Sequence, residues 1–213
     1  MSGDLKDRVS ASTFLFEPDE ALVARAPLAE QVPLDGRDLH VEVGFGKDIR
    51  SLREAEENPD ALYLGVEISG KTALKFRQKV ARLGLRNVFG YWGDVRDVLD
   101  GMLPEGGVAS FTVLFPDPWP KRRHHKNRWI QPDTAARVAR ALRPGGVVRV
   151  ATDHEGYAAW IRECMAGAGL EDAATRTGVP EEDRTLFARR FERLGHPVTH
   201  MLWRKPESAR GQA

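Results

Sequence analysis

Cysteine is nearly absent: Cys164 is the only one in 213 residues. A lone thiol cannot close an internal disulfide and suits a reducing compartment, so a cytoplasmic location is expected. Cys164 shares an apolar pattern with Trp160, Ile161 and Met165 and reads as a core thiol rather than a nucleophile. No apolar run approaches the roughly 20 residues that a membrane span needs. The start, Met1-Ser2-Gly3-Asp4-Leu5-Lys6-Asp7, lacks a basic region leading into an apolar one, so no signal peptide is expected. Net charge is also scarce, at +1, unlike that of an indiscriminate polyanion binder. Any nucleic-acid contact must come from a local patch. Metal-ligand spacing is missing around the adjacent His124 and His125, and there is no cysteine cluster, so no metal site is expected.

What is present suits a packed globule: 41% of residues are hydrophobic and 8% aromatic. Residues 1–38 are acidic, weakly periodic and punctuated by Pro18, Pro27, Pro33 and Gly36. They read as an N-terminal arm, with a short helix at Glu20–Ala26, ahead of a single domain over residues 39–213. From Leu39 strands and helices alternate. Strands are expected at Leu39–Val43, Ala61–Val66, Asn87–Tyr91, Ala109–Phe115, Val147–Ala151 and Pro197–Arg204. Helices are expected at Lys47–Glu57, Ser69–Leu83, Val95–Leu103, Pro132–Leu142 and His154–Ala168, with an irregular basic loop before the last strand. Such alternation predicts an α/β fold, a mostly parallel sheet with helices on both faces. Ligands bind such sheets outside the carboxyl ends of the strands.

Three strands end in acids. Glu42 precedes the turn Gly44-Phe45-Gly46, where two glycines allow a ligand close to the backbone. The third glycine of a dinucleotide fingerprint is replaced by Asp48, which disfavours a pyrophosphate. Glu67 ends the second strand, where a carboxylate bridges ribose hydroxyls. Asp94 follows the third, where it can accept from an adenine amino group or cap the next helix. Glu42, Glu67 and Asp94 thus outline a nucleoside pocket without a phosphate cradle. That combination favours S-adenosylmethionine over a nicotinamide dinucleotide.

The fourth strand runs into Phe115-Pro116-Asp117-Pro118-Trp119-Pro120 and then Lys121-Arg122-Arg123-His124-His125-Lys126. Prolines stiffen the turn around Asp117. A carboxylate beside an aromatic plane can read the N–H edge of a heterocyclic base. Lys121, Arg122, Arg123 and Lys126 can hold phosphates. Asp153 ends the fifth strand and serves either the substrate or the following helix as a cap. The segment from Arg184 through Thr185 and Arg190 to His196 interleaves cations with aromatics, which suits backbone clamping and stacking, or an exposed arginine-rich helix.

These motifs together resemble the bacterial tRNA (guanine-N7-)-methyltransferases. The resemblance runs from about Leu39 to Arg204 and is most specific at Phe115–Lys121. It implies a Rossmann-like class I methyltransferase fold, with a mostly parallel seven-stranded sheet whose last strand is antiparallel. It implies S-adenosylmethionine as cofactor, held by Glu42, Gly44, Gly46, Glu67, Asp94 and Asp117, with Asp117 also catalytic. Lys121, Asp153 and Thr185 would contact tRNA. Guanine N7 carries no proton, so methylation there needs no general base. Three features depart from the family pattern: Asp48, the acidic arm, and Ala188 where a Glu usually follows Thr-x-Phe, unless Glu192 replaces it. Alternatives are a methyltransferase of a small nitrogen heterocycle and a non-catalytic tRNA-binding relative, as monomer or homodimer.

Overall fold

The computed structural model describes residues 13–14, 34–46 and 50–207. The expected helix at Glu20–Ala26, and Lys47 and Asp48, lie outside the described residues. The chain divides into two compact units, residues 1–104 and 105–213.

The first unit contains β1 (Thr13–Phe14), β2 (Leu39–Val43), α1 (Arg50–Glu57), β3 (Leu62–Glu67), α2 (Gly70–Leu83), β4 (Val88–Trp92) and α3 (Val95–Leu99). Its strands lie in the order β1-β4-β3-β2. The last three are mutually parallel, and the two-residue β1 runs antiparallel to β4. Leu52 and Ala55 of α1 and Ala73, Phe76 and Val80 of α2 bury their apolar stripes against Tyr63 and Val88 of the sheet. Asn87 ties the sheet to the preceding loops, its amide donating to the carbonyls of Ala55, Asn58 and Ala61 at 3.0, 3.1 and 3.0 Å. Helix α3 stops earlier than the sequence pattern suggests, because Gly101 takes a φ of 142° that continues no helix.

The second unit contains β5 (Val108–Leu114), a 3₁₀ turn (Arg122–Asn127), α4 (Pro132–Ala141), β6 (Leu142–Thr152) and α5 (Glu155–Gly167). It continues with β7 (Glu171–Thr177), a 3₁₀ turn (Glu181–Asp183), α6 (Leu186–Arg193) and β8 (Thr199–Arg204). Strand order is β5-β6-β8-β7. β5 and β6 are parallel, and β8 lies antiparallel to both β6 and β7. Parallel pairing with an antiparallel final strand is the expected class I pattern, and β2–β8 supply the seven strands.

Three sequence expectations need correction. β7 reads Glu-Asp-Ala-Ala-Thr-Arg-Thr and is exposed throughout, so no hydrophobic alternation marks it. β6 runs through Pro144-Gly145-Gly146 rather than starting after it. Gly145 N–H donates to the Lys205 carbonyl at 3.0 Å and Lys205 N–H to the Gly146 carbonyl at 2.9 Å, which carries the pairing through the glycines. The expected irregular loop before β8 holds the helix α6, capped by Thr185.

Candidate active site

In the first unit the turn after β2 is built from the core outward. Phe45 is buried and stacks on Phe76 with ring centres 4.0 Å apart. That ring fills the space beside Gly65 in β3, where an added Cβ would lie 2.6 Å from Phe45 Cδ1. Gly65 is therefore required by the turn opposite it. Gly44 and Gly46 adopt φ of 71° and 56°, the left-handed region that glycine enters freely. A Cβ on Gly44 would meet no atom within 4 Å, so its exposed side is open to a ligand.

Glu67 locks this turn. Its Oε2 accepts from Gly46 N–H at 3.1 Å and its Oε1 accepts from Ser69 N–H at 2.9 Å. The structure thus joins Glu67 to Gly46, two of the residues singled out from sequence. Glu42 is buried on β2, opposite Gly65 in the register. Asp94 does cap α3. Its Oδ1 accepts from Arg96 N–H at 2.9 Å, and its Oδ2 pairs with the Arg96 guanidinium at 3.1 Å.

In the second unit Asp117 sits exposed on the turn after β5. Both flanks are conformationally unusual: Phe115 has φ 56° and Trp119 φ 42°. Non-glycine residues enter this region at a cost of about 1–2 kcal/mol each, so neighbouring contacts must hold them there. Phe115 N–H donates to the Ala151 carbonyl at 2.8 Å. Its ring stacks on Phe191 and Phe187 of α6, at 5.5 and 6.1 Å between centres. Trp119 packs edge-on against His124 at 5.8 Å. Among the described residues no side chain or backbone group bonds the Asp117 carboxylate.

Lys121, Arg122, Arg123 and Lys126 are exposed, and the segment is a 3₁₀ turn rather than a plain loop. Gln131 fastens that turn to α4, its amide donating to the His125 carbonyl at 2.7 Å. Arg128 departs from the cationic run it belongs to in sequence. It is 3% exposed, and its Nε donates to the Pro118 carbonyl at 2.9 Å. Asp153 is exposed and does not cap α5. His154 does so, its Nδ1 accepting from Tyr157 N–H at 3.1 Å.

Thr185 caps α6, its hydroxyl oxygen accepting from Ala188 N–H at 3.1 Å. Ala188 is fully buried and presents nothing to a substrate. Glu192 is held by Arg184, whose Nη2 and Nε donate to one oxygen at 2.7 and 3.1 Å. Glu192 and Glu181 together keep the Arg184 guanidinium charged, raising its pKa. Arg189, Arg190 and Arg193 are exposed around the large apolar side chains of Leu186, Phe187 and Leu194. Sequence reading passed over Asp183 and His200, which form a buried contact of 2.8 Å. His196 and His200 are four residues apart, but His200 lies on β8 and the two share no helical face. Among the described residues no cluster of metal-ligating side chains occurs, and no helix is long and apolar enough to cross a membrane.

A protein family described as "Putative methyltransferase" matches residues 36–201 of this chain. A tRNA (guanine-N(7)-)-methyltransferase from Nocardia farcinica (strain IFM 10152) is 36% identical over 89% of this chain and 73% of its own length. The chain belongs to the tRNA (guanine-N(7)-)-methyltransferase family. Among solved structures, the 16S rRNA methyltransferase KamB superposes with a TM-score of 0.62 at 21% identity, covering 87% of this chain and 97% of its own. Phosphoethanolamine N-methyltransferase 2 from Haemonchus contortus, in complex with S-adenosyl-L-methionine, gives 0.56 at 14% identity over 80% of this chain and 49% of its own. At such identities these two establish the fold.

Proposed function

We propose that this chain is a cytoplasmic tRNA (guanine-N7-)-methyltransferase that uses S-adenosylmethionine and modifies the variable-loop guanine at position 46. Residues 39–213 form its catalytic part, behind an arm of residues 1–38. The observation that carries this reading is the exposed Asp117, held between two left-handed residues and followed at once by four exposed cations.

The first unit's residues fit the cofactor. The open side of Gly44 admits a ligand against bare backbone, and Gly46 continues the turn with a left-handed φ. A carboxylate offers about four acceptor sites, and Glu67 spends one on each of two backbone donors. The others remain for ribose hydroxyls. Asp94 can exchange its exposed Arg96 partner, a pair worth roughly 0–1 kcal/mol, for an adenine amino group. Glu42 supplies negative charge for the cationic amino-acid end. When bound, S-adenosylmethionine would supply an electrophilic methyl group: as the N7 lone pair bonds to that carbon the S–CH3 bond would break, S-adenosylhomocysteine would leave as a neutral thioether, and the positive charge would pass to the purine with no proton to move.

The chain's own contribution is therefore placement and charge. Asp117 accepts from guanine N1–H and the exocyclic amine, which orients N7, and its charge offsets the cation that develops on the ring. Lys121, Arg122, Arg123, Lys126 and Arg190 hold phosphates, while Asp153 and the Thr185 cap contact the tRNA nearby. Incubation with unmodified tRNA and labelled S-adenosylmethionine, followed by nucleoside mass spectrometry, should place the methyl on N7 of one guanine. Equal methylation of free guanosine would instead favour a small-heterocycle enzyme. Absence of cofactor heat in calorimetry would favour a non-catalytic relative.

A further inference from the structure

Arg128 is a buried cation, and among the described residues no carboxylate pairs with it. Burying an unpaired charge costs several kcal/mol unless its donors are all met. Here two of its five N–H donors meet partners and one face meets an aromatic ring. Nε donates to the Pro118 carbonyl at 2.9 Å, Nη2 lies 3.2 Å from His125 Nε2, and Cζ lies 4.7 Å from the centre of the Tyr157 ring. A guanidinium only donates, so His125 Nε2 must be the acceptor. Tyr157 is itself fixed, its hydroxyl accepting from Ile130 N–H at 3.2 Å.

The Pro118 carbonyl belongs to the peptide that leads into Trp119. That peptide plane sets the entry to the left-handed φ of 42° at Trp119. Asp117 lies immediately before Pro118, whose ring fixes φ, so the peptide that carries Asp117 is linked to the bolted Pro118–Trp119 plane through one free torsion, Pro118 ψ. An arginine that reached phosphates would be exposed, as Lys121, Arg122, Arg123 and Lys126 are. We propose that Arg128 is a positioning residue, a buried bolt that holds the Pro118–Trp119 peptide in its strained form and thereby aims the Asp117 carboxylate. Tyr157 is the platform for the bolt, and His125 its second anchor. This rests on the role given to Asp117 above, but the geometry of the bolt does not depend on which substrate is methylated.

The test uses the full chain carrying Arg128→Lys, which keeps the charge and loses the planar fork. A misplaced catalytic group costs on the order of 10²-fold, so kcat for tRNA methylation should fall by about that factor. KM for tRNA should stay within roughly threefold and the salt slope of tRNA binding should not change. Independently of activity, the protein labelled with 5-fluorotryptophan should show a shifted or broadened Trp119 fluorine resonance, assigned by its loss in Trp119→Phe, while Trp92 and Trp203 stay in place. If the buried ammonium prevents folding, Arg128→Gln, which carries no charge, replaces it. A raised KM with a reduced salt slope and unchanged kcat would make Arg128 a phosphate contact and overturn the proposal. An unmoved Trp119 resonance in a folded variant would overturn it as well. If the wild type fails to methylate tRNA, the functional reading fails and the fluorine spectrum alone decides the bolt.

Discussion

Glu67 in the first unit ends a strand and Asp117 in the second follows one, yet they are held in opposite ways. Glu67 is fixed through its own oxygens, each accepting a backbone N–H, on an ordinary strand end. Among the described residues nothing bonds the Asp117 carboxylate, and its backbone carries the rigidity instead. Prolines stand on either side of it, and the left-handed Phe115 and Trp119 flank those. The contrast teaches how a fold divides labour. A carboxylate that shapes a binding loop can spend lone pairs on that loop. On the reading proposed above, a carboxylate that reads a base keeps its acceptors for the base and borrows stiffness from its neighbours.

The largest expected effect lies on the Asp117 side. Asp117→Ala should lower kcat on the order of 10²–10³-fold, the cost of removing a preorganised electrostatic partner, while cofactor affinity measured by calorimetry changes little. A variant that keeps near-normal turnover would break the comparison at once. On the other side, Glu67→Gln removes charge-assisted bonds worth about 1.5–3 kcal/mol each, so cofactor affinity should fall roughly 10- to 100-fold. Calorimetry checks this, with tRNA affinity expected to hold. Next come Lys121→Ala and Arg123→Ala, each of which should weaken tRNA binding and reduce the salt slope by about one unit. An unchanged slope would put the phosphate clamp elsewhere.

The smallest effect sharpens the two units as folded bodies. Burial pushes the hydroxyls of Tyr63 and Tyr157 up to about 12, and the Cys164 thiol up to about 11. In the unfolded chain these groups ionise near their ordinary values of 10.0 and 9.0. The folded state then binds more protons than the unfolded state, so stability falls as pH rises from about 9 towards 12. Urea melts across that range should show a declining midpoint, and Tyr157→Phe should flatten part of the decline. Cys164 should also resist alkylation at neutral pH until the protein is unfolded.

The strand ends were legible because acid, glycine and proline are strong local signals. Gly44 and Gly46 needed left-handed backbone, and Pro116 and Pro118 announced a stiff turn around Asp117. The alternation of β and α was equally plain from Leu39 to Ala168, since each element buries an apolar stripe. β7 was not legible, because its seven residues are all exposed and carry no hydrophobic period. Helix α6 was legible only as the second of two readings, because Arg189, Arg190 and Arg193 interrupt the apolar positions Phe187 and Phe191 that share one face. Arg128 was hidden for a different reason. Inside a run of cations nothing local distinguishes the one that turns inward. The Pro118 carbonyl ten residues back, the nearby His125 ring and the Tyr157 ring twenty-nine residues on make its burial tolerable. The ion pair between Glu192 and Arg184 was also invisible, since Arg184 lies outside the helix that carries Glu192.

Single-turnover methylation of tRNA by Asp117→Ala and Glu67→Gln, followed over a titration of S-adenosylmethionine with tRNA saturating, separates the two carboxylates most directly. Glu67→Gln should regain most of its rate as cofactor is raised, whereas Asp117→Ala should plateau far below the wild type. Recovery of Asp117→Ala to the wild-type rate at high cofactor would contradict the division between a loop-shaping acid and a base-reading one.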